Sequence, residues 1–480
     1  MRRWGWFGGG LNRRMHRSAL MISVLAAVIG GLAVAALSWW VLRQLLGVED
    51  VKPNQLDLTE IALAISAGIG AAVALVVAYR RQRDQERGRF AELFGAAARQ
   101  LGDADVAVRI AGVYAMAGVA DEFSAPGRRQ QCIDVLCGYL RLPYAPDEGN
   151  SHLVSKTQRI EDSGTGVERT YHYRQNDRQV RDTIVRVIAG RLRPAVEVSW
   201  STCDFDFSDA IFEDADFRYT VFAGRNTRFT NAMFVGPRAT TFEKARFLGK
   251  RVTFRGAMFR GATTSFEGVA FTHSRVDRSE RDSAGTTFID TTFSGPTTFD
   301  AATFAGARTA FTRAKFAGTR SSFVNAKFTG ELTSFEKAIF DGDRVAFTGA
   351  EFTGAEVTFA ASRFYAEGSS FECAHLGANA RFRATRTREI SFARVEYHSK
   401  VSFADAVFGG RSVVFTGGDF FGDISFRRAV YDAREISFER PKAWVGVHFD
   451  WDGTPVTKPA NIRPEQWPPT PAETAPAPAS

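Results

Sequence analysis

At 480 residues the chain exceeds what one hydrophobic core usually holds, so two or more structural units are expected. The net charge of +8 is unevenly placed: residues 201–450 carry 33 Lys and Arg against 30 Asp and Glu, and most of the basic surplus lies in the first 192 residues. Four cysteines without a CxxC pair exclude a disulfide framework, so Cys132, Cys137, Cys203 and Cys373 read as reduced thiols of the cytosol.

The first elements are apolar. Ala19 to Leu42 and Ile61 to Tyr79 contain no charge, and each is long enough to cross about 30 Å of hydrocarbon as a helix. Arginines precede the first run (Arg13, Arg14, Arg17) and follow the second (Arg80, Arg81, Arg83). The loop between them holds Glu49, Asp50 and Asp57 against Lys52. The positive-inside rule then predicts a two-helix transmembrane hairpin over 19–80, with a basic stretch (1–18) and both termini in the cytoplasm. The expected location is the cell membrane, multi-pass, held through residues 19–42 and 61–79. Neither run holds an ionisable group, which speaks against a channel or transporter.

Residues 81–200 read as a small cytoplasmic α-helical region. Phe90, Leu93, Phe94, Ala97 and Leu101 recur at helical spacing, as do Val106, Ile110, Val113, Tyr114 and Ala117, with Asp103 as the N-cap of the second helix. A third helix is predicted over 129–140. Residues 145–176, polar and rich in Gly and Ser, read as a loop. A fourth helix, Asp177 to Leu192, turns Val180, Ile184, Val187, Ile188 and Leu192 inward and is expected to cap or abut the Phe-rich region beyond it.

From Phe205 to Phe449 lie 38 of the 42 phenylalanines. Phe299, Phe311, Phe323, Phe335, Phe347, Phe359 and Phe371 are twelve apart, and Phe304, Phe316, Phe328, Phe340, Phe352, Phe364 and Leu376 follow each by five. Two residues before the second Phe of a pair stands Ala (Ala314, Ala326, Ala338, Ala350). Before the first stands Thr, Ser or Val (Thr309, Ser321, Thr333, Val357). In extended backbone, positions two apart point the same way, so a large and a small side chain both face a narrow interior while their neighbours meet water. A short fixed period means a solenoid in which like side chains stack coil on coil.

At these residues, most clearly the five-residue steps Phe207, Phe212, Phe217 and Phe222, the chain resembles the pentapeptide-repeat family in its Phe-rich actinobacterial form, and at 101–115 and 173–188 it is similar to a membrane-anchored subset of that family. The first resemblance covers about residues 200–450 and implies a right-handed quadrilateral β-helix. Four sides need two 12-residue units, so about ten coils of ~24 residues are expected, about 45–50 Å long at one strand spacing per coil. The resemblance implies an architecture and no reaction. Residues 451–480, rich in Pro and Ala, read as a disordered tail.

The period fails twice. After Phe271 comes an insert, Thr272 to Thr287, carrying Arg275, Arg278 and Arg281. After Phe382, Thr387 stands where Phe is due, flanked by Arg381, Arg383, Arg386 and Arg388. These seven arginines are the candidate interaction residues, since loops and outward charge on a rigid scaffold are where binding sits. The seven histidines have no ligand-like spacing on one element, and Cys373 with His375, two apart, reads as a chance pair. No nucleophile elbow, Walker loop or zinc-protease motif occurs, so no catalytic residue, metal or cofactor is expected and the chain reads as a non-enzyme. The expected function is a membrane-anchored scaffold that binds an unidentified protein on the cytoplasmic face, with homo-oligomers allowed and nucleic acid disfavoured. The alternatives are a DNA-mimicking, topoisomerase-binding protein or an accessory part of a membrane transport or sensing complex. For the DNA mimic only Asp204, Asp206, Asp209, Glu213, Asp214 and Asp216 supply an acidic patch.

Overall fold

A computed structural model describes residues 29, 36, 40, 55–146, 155–162, 165–172, 176–272, 285–453 and 456–472. It divides into two compact units, Met1–Leu93 and Phe94–Ser480.

The expected membrane hairpin is not supported. Among the described residues no helix is long and apolar enough to cross a membrane. The run 19–42 lies outside the described residues apart from Ile29, Ala36 and Trp40. The run 61–79 is not an element with its own ends. It is part of helix α1 (Gln55–Leu101), 47 residues that continue unbroken through Arg80, Arg81, Arg83, Asp84, Glu86, Arg87 and Arg89. Charged turns and apolar turns thus belong to one helix. The multi-pass membrane location and the membrane contact through 19–42 and 61–79 are withdrawn with the hairpin.

In the second unit, α2 (Val106–Glu122) packs on α3 (Pro126–Leu140) and α4 (Asp177–Leu192). Asp105, not Asp103, caps α2: its side chain accepts from the Ala107 amide at 2.7 Å. Pro126 starts α3 three residues earlier than periodicity suggests, as its fixed φ and missing N–H suit a first turn. The buried carboxylate of Asp177 accepts from the Tyr139 hydroxyl (2.5 Å) and from Arg181 Nε (2.8 Å), and Arg181 also donates to the carbonyls of Leu140 and Leu142. That network ties α3 to α4 with each charge partnered. Part of the segment expected as loop pairs instead: β1 (Ser155–Asp162) runs antiparallel to β2 (Thr165–His172). The side chains described in it, at 155–159 and 168–172, are exposed, and polar composition hid it.

The rest is a parallel β-solenoid of about ten turns. Lys315–Phe316 pairs with Ile339–Phe340, Arg320–Ser322 with Arg344–Ala346, Lys327–Phe328 with Glu351–Phe352, and Leu332–Ser334 with Glu356–Thr358. Every pair joins residues one coil apart, and four short strands fill each coil, so the expected four faces and 24-residue turn are present. Two faces form ten-stranded sheets. The other two merge into a 19-stranded sheet, because Asp419–Ser425 pairs with both Glu396–Tyr397 and Val401–Ser402.

The phenylalanines stack in columns at nearly the strand spacing. Phe311 lies on Phe335 at 4.8 Å and 1°, and Phe323 on Phe347 at 4.6 Å and 3°. Neighbouring columns meet edge to face, as in Phe311 and Phe323 at 90°. The small partners Ala314, Ser321, Ala326 and Thr333 are buried beside them. Neither break shifts the register. Phe288 still lies on Phe254 at 4.8 Å, the chain leaving after Thr272 and rejoining at Gly285, which pairs with Arg251. Thr387 sits between Phe364 and Phe408 in register.

Two kinds of turn close each coil. The position two after the first Phe takes positive φ whatever residue stands there, as at Asn325 (55°), Lys337 (56°), Ala361 (55°) and Gly349 (66°). Another corner is a glycine column, where backbone approaches backbone: a Cβ on Gly342 would lie 1.8 Å from the Gly318 carbonyl oxygen, and one on Gly318 would lie 2.1 Å from that of Gly295.

Both ends are covered, as a stack of open strand edges requires. At the start, the side-chain amide of Gln130 mimics a strand, donating to the Asp204 carbonyl (2.8 Å) and accepting from its amide (2.9 Å). At the end, part of the expected disordered tail is folded: Ile462–Arg463 pairs with Ile436–Ser437, and Trp467 packs edge-on against Phe438 and Phe449. Aromatic burial outweighs the Pro-rich composition there.

Gly342→Ala is expected to cost about 1–3 kcal/mol from forced backbone displacement, whereas Gly368→Ala, with open space around its Cβ, should leave thermal unfolding unchanged. Tyr397 stands in a Phe column with its hydroxyl buried and without a hydrogen-bond partner among the described residues, stacked on Phe420 at 4.8 Å. Tyr397→Phe should therefore raise the midpoint of denaturant unfolding, since about 1–3 kcal/mol of desolvation is relieved.

Candidate functional site

Outward slots recur once per coil, so side chains far apart in sequence form columns on the faces. The acidic patch is the first such group, and it is already engaged. Arg178 of α4 reaches Glu213 (3.4 Å) and Asp214 (3.1 Å). Arg141 reaches Asp206 at 3.5 Å and Arg193 reaches Asp216 at 3.9 Å. Tyr144 donates to Glu213, and burial together with that bond pushes its hydroxyl pKa up. Partial burial raises the pKa of Asp206, but hydrogen bonds from Ser208 and the guanidiniums of Arg141 and Arg228 outweigh it and hold the carboxyl below its ordinary value. Asp216 is likewise held low by Arg218 and Arg193 against the effect of burial. The patch is a docking face for the helical cap.

The arginines around Thr387 do not form a single stripe. Arg381 ends a strand on one face and pairs with Glu356 at 2.8 Å. Arg383 stands in the following turn and pairs with Asp405 at 3.1 Å. Arg386 begins a strand on the next face, stacked in register on Arg363. Arg388 comes two residues later, and all four side chains are exposed. Two of the four are thus committed to carboxylates of neighbouring coils. Arg275, Arg278 and Arg281 lie outside the described residues.

A group that sequence spacing did not show lies on the face carrying His375. Glu396 stands one coil on from His375, and its Oε2 is 3.0 Å from His375 Nδ1. His398, two residues further, brings Nε2 to 4.0 Å from the same oxygen and to 3.9 Å from Asp419 Oδ2. The three donor atoms of His375, Glu396 and His398 all lie within 4.8 Å of one another. Cys373, its neighbour in sequence, instead occupies the positive-φ turn (55°) and is exposed. The legible signal was the coil period: residues 21 and 23 beyond His375 are its neighbours in space.

The other three thiols are buried. Burial pushes Cys132 up to about 11 and raises Cys137 and Cys203 as well, so all three are neutral thiols at pH 7 and poor nucleophiles.

Compared with protein-family models, curated proteins and solved structures, the chain matches none of them. Its parallel solenoid, with turns of about 24 residues and Phe at regular steps of about five, is consistent with pentapeptide repeats.

Asp206 and Asp216 have folded pKa values below their unfolded ones, so each contributes stability that is present above about pH 4 and is lost as pH falls through the lower folded value. Hydrogen exchange should therefore speed up in α4 and the 204–216 segment below about pH 4, ahead of the coils around Phe335. Equal acceleration in both regions would refute a junction of this kind.

Proposed function

We propose that the chain is a non-enzymatic scaffold whose solenoid presents protein-binding residues on flat, rigid faces. The observation that supports this is the filled interior: rings stacked at 4.6–4.8 Å with their columns in edge-to-face contact fill the space inside the described coils. What varies from coil to coil is the outward slot, as in the column Lys315, Ile339, Arg363, Arg386 and Val407. Such a surface recognises by charge and shape fixed in advance, with little ordering cost on binding. The partner is a protein of complementary surface, and Arg386 and Arg388, with Arg381 and Arg383 nearby, are the proposed contact residues.

The DNA-mimic alternative is weakened by the cap, because α4 and its arginines occupy the acidic patch it would use. Chemical crosslinking with mass-spectrometric identification should recover a protein partner with the full chain. Arg363→Glu combined with Arg386→Glu should lower that recovery at least fivefold without changing the thermal midpoint. A dominant, salt-sensitive topoisomerase partner would reinstate the alternative. Recovery indifferent to charge reversal on every face would refute the scaffold reading.

A further inference from the structure

One face of the solenoid carries the in-register column Lys327, Glu351, His375, Glu396 and Asp419. Its first two members pair with each other at 3.0 Å, as opposite charges on adjacent coils do. Above them the column changes character. His375, Glu396 and Asp419 are joined by His398, which stands two residues after Glu396 and so projects from the same side. Two imidazoles then lie 5.3 Å apart between ring centres, with the carboxylates of Glu396 and Asp419 near His398.

The geometry points to a binding site for a divalent transition-metal ion of the zinc class, with His375, Glu396 and His398 as the protein ligands. Zinc takes imidazole nitrogen and carboxylate oxygen at about 2.0–2.2 Å in a tetrahedron, which places donor atoms about 3.3 Å apart. The separations here are 3.0 Å between His375 and Glu396 and 4.0 Å between Glu396 and His398, and all three donor atoms lie within 4.8 Å of one another. Side-chain rotation closes differences of that size without moving the backbone. Two imidazoles with carboxylates favour zinc, cobalt, nickel or copper over magnesium or calcium, which prefer all-oxygen shells.

A second observation supports a built site. Gly377 leaves room for the ring of His375: a Cβ there would lie 2.8 Å from His375 Nε2. The ring is thereby turned back over its own strand and toward Glu396. The backbone that carries the ligands is fixed by pairing, with the His398 amide donating to the Leu376 carbonyl and the Glu396 amide to that of Ala374. The side chains remain a quarter to just under half exposed, so an ion has access. The site spans the coil where Leu376 replaces Phe, and a bound ion would clamp adjacent coils there. This inference is independent of the scaffold reading.

The test uses the full chain, stripped with a chelator and titrated with Co2+ and Zn2+ alone. One equivalent of Co2+ should produce visible d–d absorption, and Zn2+ should displace it and raise the thermal midpoint, while Mg2+ does neither. His375→Ala, His398→Ala and Glu396→Gln should each weaken Co2+ affinity at least tenfold and abolish the Zn2+-dependent rise. His448→Ala, outside the cluster, should change neither. Circular dichroism of the metal-free variants matching the parent separates lost ligands from lost folding. No Co2+ spectrum at 100 µM ion, or a spectrum unchanged in both histidine variants, overturns the assignment.

Discussion

Parallel backbone pairing between successive coils is the constraint on which the rest of the second unit depends. It repeats at about 4.8 Å, close to the contact distance of stacked aromatic rings, so a Phe at the same slot in each coil satisfies backbone and core together. That coincidence of lengths is why one residue type fills the interior. It also explains why the exceptions are conservative in shape or position: Leu376, Tyr397 and Trp444 continue one column, and Thr387 keeps its slot.

The same constraint creates the demands met elsewhere. A coil that advances by one strand spacing must turn four times, and its corners run so close that one column holds glycine at Gly295, Gly318 and Gly342 and the small Ala366 next, while another position takes positive φ in every unit. Its two ends would expose unpaired strands, and each is closed by different chemistry. A glutamine amide, a buried Asp–Arg network and a row of Arg–carboxylate pairs seal the start. A tryptophan cluster and one added strand seal the finish. The acidic residues of the first coils, which look like a binding surface when taken alone, are part of that seal.

What varies from coil to coil is the outward slot. Because register is rigid, the outward slots form columns whose chemistry is set by residues one coil apart. Cross-coil ion pairs such as Lys327 with Glu351 and Arg381 with Glu356 are exposed and contribute little stability each. Their value to the molecule is that the surface holds a fixed pattern, the property a scaffold needs, and the one that brings His375, Glu396 and His398 together.

The solenoid, its 24-residue turn and its buried set were legible in the sequence because a period of five and seven repeats a local rule, and local rules are written in local residues. Helix α4 was legible for the same reason, through Val180, Ile184, Val187 and Leu192. Composition misled where pairing or context decided: the polar stretch that forms the β1–β2 hairpin, the Pro-rich tail that Trp467 folds onto the last coil, and the apolar run 61–79 that belongs to a longer charged helix. The candidate site lay furthest from view. The sequence alone determined that side chains would stack coil on coil, but which outward residues meet depends on coils of 21 to 26 residues, or 33 to 34 across the insert, whose lengths are set by corners and inserts. Only the tertiary structure decides that register, because proximity across a solenoid is a property of the pitch and not of neighbours along the chain.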